Sequence, residues 1–105
     1  MRLYLDDVRT PKNPDGWTIV RSVAEAKHLL ENTTELVTSM SLDHDLGEGP
    51  GGEDKNAPTG LDLLRWIRDT QRWPLSKPMV HSANPVGAQR MRDFIEDWGP
   101  YPKAY

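Results

Sequence analysis

Three apolar runs in this 105-residue chain end in side chains that can do chemistry. One ends in Asp6 and Asp7, a second in Asp43, His44 and Asp45, and a third in His81 and Ser82. Charged groups are costly to desolvate, so such clusters beside apolar runs need a reason. Four carboxylates in a small volume repel one another, and must be protonated, solvated apart or paired with a cation. Histidine titrates near neutral pH when unperturbed, which makes His44 and His81 the candidates for moving protons. The set suits two jobs: holding a divalent cation, and acid/base work.

For these groups to meet, the elements before them must end at one edge. "RLYL" (2–5), "WTIV" (17–20), "SMSL" (39–42) and "KPMV" (77–80) read as short strands. Ser22 is placed to cap a first helix, with Glu25 completing a capping box and Ala26, Leu29 and Leu30 on the buried face. Thr59 with Asp62 repeats that pattern, and Leu61, Leu64 and Ile67 follow at helical spacing. Asn84-Pro85 is an N-cap followed by proline at the first helical position, and Ala88, Met91, Ile95 and Trp98 mark that helix's inner face. Residues 47–58 are aperiodic and glycine-rich, a loop able to close over a ligand.

The order β-β-α-β-α-β-α predicts a layered α/β fold with a four-stranded, largely parallel sheet. Only nine residues, 8–16, link the first two strands, fewer than a helical crossover needs. Extended, nine residues reach roughly 30 Å, enough for a bare loop to cross a short strand and leave the pair parallel. In such sheets ligands bind beyond the carboxyl ends of the strands. The last two helices begin at that edge, and their N-terminal amides favour an anion there.

Composition narrows the classes. The chain is one domain, read as residues 1–98 with an extended tail over 99–105. A net charge of −3 argues against a generic nucleic-acid coat. No apolar run approaches a membrane span, so a cytoplasmic protein is expected. The absence of cysteine excludes disulfides and thiolate metal sites. Four tryptophans are expected to supply much of the core. Arg65, Arg68 and Arg72, spaced three and four apart, read as a solvated helix face.

The stretches "LYLDDVRTP", "SLDHDLG", "TGLDLLRWI" and "VHSANPVGA", in that order, resemble the cyclic-phosphate processing receiver domain, a divergent relative of response-regulator receivers. The resemblance runs from about residue 2 to 98. It implies a reduced receiver- or flavodoxin-like, three-layer fold and a role in handling cyclic phosphates. It matches Asp6 and Asp7 to the receivers' acidic metal-binding pair, Asp43 to the phosphoacceptor and Ser82 to the hydroxyl residue after the fourth strand. The departures are informative. The helix between the first two strands is missing, and no strand with a terminal lysine follows the last helix; Lys103 in the tail is no equivalent. His44 and His81 stand where receivers need no histidine.

A small cyclic phosphodiester fits this inventory. Opening its ring requires activating a water and protonating the departing oxygen, work for the imidazoles of His44 and His81, with Asp43 as the third catalytic candidate, a ligand or orienter. Arg9, Asp45, Ser82 and Asn84 are the ligand-binding candidates, and Asp6, Asp7 and Asp43 the candidate ligands of Mg²⁺ or Mn²⁺. Side chains alternate along a strand, so Asp43 and Asp45 share a face while His44 either serves the pocket or turns away to a polar niche. Two further readings stand beside hydrolysis. One is a non-catalytic module that sequesters a cyclic nucleotide or binds a partner protein. The other is a signalling receiver phosphorylated on Asp43, which the missing lysine disfavours. Oligomeric state is left open.

Overall fold

The structure is a computed structural model that describes residues 1–47 and 56–103. Four strands, β1 (Arg2–Leu5), β2 (Trp17–Val20), β3 (Ser39–Leu42) and β4 (Met79–Val80), form one sheet in the order β2-β1-β3-β4. Every pair is parallel, including β1 with β2, whose register runs from Arg2 opposite Trp17 to Leu5 opposite Val20. The short link between them does cross as a bare loop. It is held at its far end by Arg2, whose guanidinium donates to the carbonyls of Asp15 and Gly16. Most of the expected loop over 47–58 falls on positions outside the described residues.

Helices α1 (Val23–Asn32), α2 (Gly60–Thr70) and α3 (Pro85–Trp98) start as the sequence predicts. The α2 box is complete: the Thr59 hydroxyl accepts from the Asp62 amide, and the Asp62 carboxylate accepts from the Thr59 amide at 2.8 Å. At α1 the box is only half formed. Ser22 accepts from the Glu25 amide at 3.1 Å, but Glu25 reaches past it to the amide of Arg21 at 3.2 Å.

The links β2–α1–β3 and β3–α2–β4 both step in the same direction across the sheet. Right-handed crossovers therefore put both helices on one face, and α3 packs beside α2. All three bury side chains in a single apolar cluster with Leu3, Leu5, Met40 and Leu42, the residues that alternation points to that face. The α/β, receiver-like arrangement of four parallel strands and three helices is thus the expected one, with no helix between β1 and β2. The opposite face of the sheet carries Arg2, Tyr4, Trp17, Ile19, Ser39, Ser41 and Met79.

The tryptophans do not fill the core. Trp66 and Trp73 are only partly buried against it, Trp17 is half-buried, and Trp98 is exposed rather than on the inner face of α3. Each of three indoles instead lies beneath a cation: Arg2 over Trp17 at 4.3 Å, Arg72 over Trp66 at 5.6 Å and Arg68 over Trp98 at 4.7 Å. A large ring with a polar edge is well placed at such a boundary, where its face meets charge and water stays in reach. Leucine, methionine, isoleucine and valine form the core proper. The arginine stripe is likewise spent locally, on Asp62, on Asp69 and on the Leu30 carbonyl. Beyond α3 the tail docks through Tyr101, whose hydroxyl donates to the Pro74 carbonyl at 2.6 Å while its ring meets Trp73 edge-on. No helix among the described residues is long and apolar enough to cross a membrane.

Candidate functional site

The carboxyl ends of β1, β3 and β4 bring Asp6, Asp43 and His81 to one edge, on the face opposite the helices. The ladder continues one residue past each strand: the Asp43 amide donates to the Leu5 carbonyl, and the His81 amide to the Leu42 carbonyl. Asp6, Asp7 and Asp43 are all buried, and each offers a carboxylate oxygen within 4.8 Å of the others. Oxygen donors this close match the preference of hard divalent cations such as Mg²⁺ or Mn²⁺, so these three residues fit such an ion.

Asp6 is fully buried and heavily bonded. Its Oδ1 accepts from the amides of Val8 (3.0 Å) and Arg9 (2.8 Å), and its Oδ2 accepts from Arg9 Nε (3.0 Å) and His81 Nε2 (3.1 Å). Burial alone would raise its pKa, but the two amides, the Arg9 charge and His81 outweigh burial and hold it below the usual carboxylate range. Asp43 behaves oppositely. Burial and the neighbouring Asp6 charge push its pKa up, against the His44 amide, the Ser82 hydroxyl and Arg9. Two acids a few ångströms apart are driven to different protonation behaviour, as sites that divide acid and base roles require.

Arg9 joins them. Its guanidinium lies 3.4 Å from Asp43 Oδ2 as well as 3.0 Å from Asp6 Oδ2, and donates to the His81 carbonyl at 3.3 Å. Arg21 braces the loop behind it by donating to the carbonyls of Asp6 and Arg9. Arg9, Asp43, Asp45, Ser82, Ala83 and Asn84 line an open cleft of about 220 Å³. Ser82 hydrogen-bonds Asp43 and accepts from the Asn84 amide. Asn84 caps α3 by accepting from the Gly87 amide at 3.0 Å, while its amide nitrogen lies 3.4 Å from both oxygens of Asp45. The start of α3 and a cation thus meet in a space that suits a phosphate-sized group, below the size of a pocket that encloses a whole nucleotide.

Neither imidazole lines this cleft; each stands one hydrogen bond behind a carboxylate. His44 Nδ1 is 2.7 Å from Asp45 Oδ1, and that bond lowers the Asp45 pKa. Its ring packs on α3, where a Cβ added to Gly87 would approach it to 2.5 Å. His81 is bonded at both nitrogens, Nδ1 to Ser41 Oγ at 2.7 Å and Nε2 to Asp6, and its ring stacks on Tyr4 with centroids 4.4 Å apart and planes 9° from parallel. Burial lowers its pKa, against the pull of the Asp6 and Asp43 carboxylates.

Four supporting residues escape a reading of sequence alone. Ser41 and Tyr4 hold His81 from below the sheet. Gly60 and Gly87 allow α2 and α3 to press on the cluster, since a Cβ at Gly60 would lie 2.0 Å from the Asp43 carbonyl oxygen. Ser41 leaves one signal, a small polar residue between Met40 and Leu42; the glycines leave another, in the first turn of each helix just after its cap.

Searches of curated proteins and of solved structures return no match. A family model does: residues 1–97 match that of the cyclic-phosphate processing receiver domain. With the buried aspartate trio at the sheet's carboxyl edge, the parallel order β2-β1-β3-β4 and a match over nearly the whole chain, this protein belongs to the cyclic-phosphate processing receiver domain family.

Proposed function

We propose that the cleft binds the phosphate of a small cyclic phosphodiester, such as a nucleotide-derived cyclic phosphate, and hydrolyses it to a monoester. The observation that carries this reading is the convergence of Arg9, Ser82 and the capped start of α3 on Asp43 in a cleft of phosphate size. A cyclic diester carries one negative charge, which Arg9 and the α3 amides balance. Ring opening adds one water: its oxygen bonds to phosphorus, one ring P–O bond breaks, and the departing oxygen takes a proton. Asp43, made more basic by burial and by the neighbouring Asp6 charge, accepts a proton from that water. The departing oxygen takes its proton from His44, relayed through Asp45 at the cleft wall, while His81 orients Asp6 behind it. Asp6, Asp7 and Asp43 would hold a Mg²⁺ or Mn²⁺, which when bound supplies Lewis acidity toward a phosphoryl oxygen.

A second reading, sequestration without turnover, is favoured by two observations: both nitrogens of His81 are already engaged, and neither histidine lines the cleft. Phosphorus NMR on a panel of 2′,3′-cyclic, 3′,5′-cyclic and ADP-ribose-type cyclic phosphates separates the two. Hydrolysis of at least one member, lost in Asp43→Asn and reduced roughly a hundredfold in His44→Ala, is the expected result. Tight binding of one member with no ring opening would assign the site to sequestration.

A further inference from the structure

Asp6 has no acceptor capacity to spare. A carboxylate offers about four lone-pair directions, and Asp6 already receives four donors, two main-chain amides on Oδ1 and Arg9 Nε with His81 Nε2 on Oδ2. A cation that approaches Asp6 must therefore displace one of them. The two amides are fixed by the turn that leaves β1. His81 is clamped by Ser41 and stacked on Tyr4. Arg9 is different: its side chain is 48% exposed, while those of Asp6 and Asp43 are 0% and 6% exposed. It can swing out without moving the backbone, because the Arg9 amide keeps its own bond to Oδ1. Its guanidinium already lines the cleft beside Ser82 and Asn84.

We infer that Arg9 is the resident counter-cation of the Asp6/Asp43 pair and exchanges with a divalent ion, so that a bound cation frees the guanidinium to grip an anion in the cleft. The inference rests on the cation and anion sites proposed above and adds their coupling. At rest Arg9 offsets part of the charge of Asp6 and Asp43, at 3.0 and 3.4 Å. Linkage makes the coupling reciprocal: an anion that draws Arg9 into the cleft opens Asp6 to the cation by the same factor.

The test is a calorimetric titration of Mg²⁺ into metal-free wild type and Arg9→Met, with the Arg9 Nε–H resonance of the wild type followed by ¹⁵N NMR. Arg9→Met is expected to bind Mg²⁺ about tenfold more tightly or better, because a fixed positive charge has left the seat. In the wild type, the Nε–H signal should move to that of a solvated guanidinium as Mg²⁺ saturates. With sulfate as the anion probe, Mg²⁺ should tighten binding several-fold in the wild type and less in Arg9→Met. Equal or weaker Mg²⁺ binding by the variant, or an unmoved Nε–H signal at saturation, overturns the exchange while leaving the cation site standing. No Mg²⁺ binding by either protein overturns the exchange and the cation site together. The resonance is followed in the wild type, so that measurement decides the matter even where Arg9→Met fails to fold.

Discussion

The two faces of this small sheet have different chemistry although they share the same strands. On the helix side Leu3, Leu5, Val20, Met40 and Leu42 meet Ile67, Leu64 and Met91 in a closed apolar cluster. On the other side the same strands present Arg2, Tyr4, Trp17 and Ser41, joined by ring stacking, a cation over an indole and the Ser41–His81–Asp6 chain of hydrogen bonds. Apolar contacts are non-directional, so the first face stabilises the fold without choosing where a polar atom points. Hydrogen bonds and stacked rings are directional, so the second fixes where a carboxylate oxygen points. One face supplies stability and the other supplies aim.

That division breaks down if the helix face is not the stabilising one. Leu64→Ala removes a fully buried side chain from the apolar cluster and is expected to cost about 2–5 kcal/mol, read by urea unfolding. Its folded fraction should bind anion as the wild type does. A loss under about 1 kcal/mol, well below the range for such a truncation, or a selective loss of binding, would place stability or aim on the wrong side of the sheet.

The acids at the edge provide an effect of opposite sign. Asp43 has a raised pKa in the folded state, so what it contributes is fully present below the ordinary aspartate pKa and is lost as pH rises through the folded value. Asp6 has a lowered pKa, so its contribution is present above the ordinary value and is lost as pH falls through the folded one. In metal-free buffer at neutral pH, Asp43→Asn should therefore be more stable than wild type and Asp6→Asn less stable. Melting curves from acid to neutral pH check both, and like-signed changes would mean that the two carboxylates are not held in opposed environments.

How far the sequence reaches follows from the same division. The strands and helix starts are legible because alternation, helical spacing and capping residues are local: Thr59 with Asp62 and Asn84 with Pro85 mark their helix starts directly. Chain reach permits a parallel β1–β2 pair without deciding it, and the register of the sheet decides it. The gathering of Asp6, Asp7 and Asp43 follows from the strand tips. The tryptophans mislead, because hydrophobicity scales score the indole and not the arginine above it. What stays hidden is non-local. Nothing in "SMSL" says that Ser41 will meet a histidine forty residues on, nor does "LDDVR" say that Arg9 will bridge two acids from different strands.

Ser41 allows the smallest and sharpest measurement. With Asp6 ionised, His81 Nε2 must carry a proton to donate to Oδ2, which leaves neutral Nδ1 an acceptor and makes the Ser41 hydroxyl its donor. The serine thus selects one tautomer and one ring position, and through them the position of Asp6 Oδ2. Ser41→Ala removes a net bond expected to be worth about 0.5–1.5 kcal/mol, a modest loss of stability. A purely structural serine would stop there. A positioning serine should also change the ¹⁵N tautomer signature of His81, because its Nδ1 is left facing a methyl group, and should weaken Mg²⁺ binding at the trio. Ser41→Thr, which keeps the hydroxyl, should restore the tautomer. If Ser41→Ala lowers the melting temperature yet leaves the His81 spectrum and the Mg²⁺ affinity unchanged, the polar face is only a second packing surface, and the aim of Asp6 must be set by its main-chain amides and Arg9 alone.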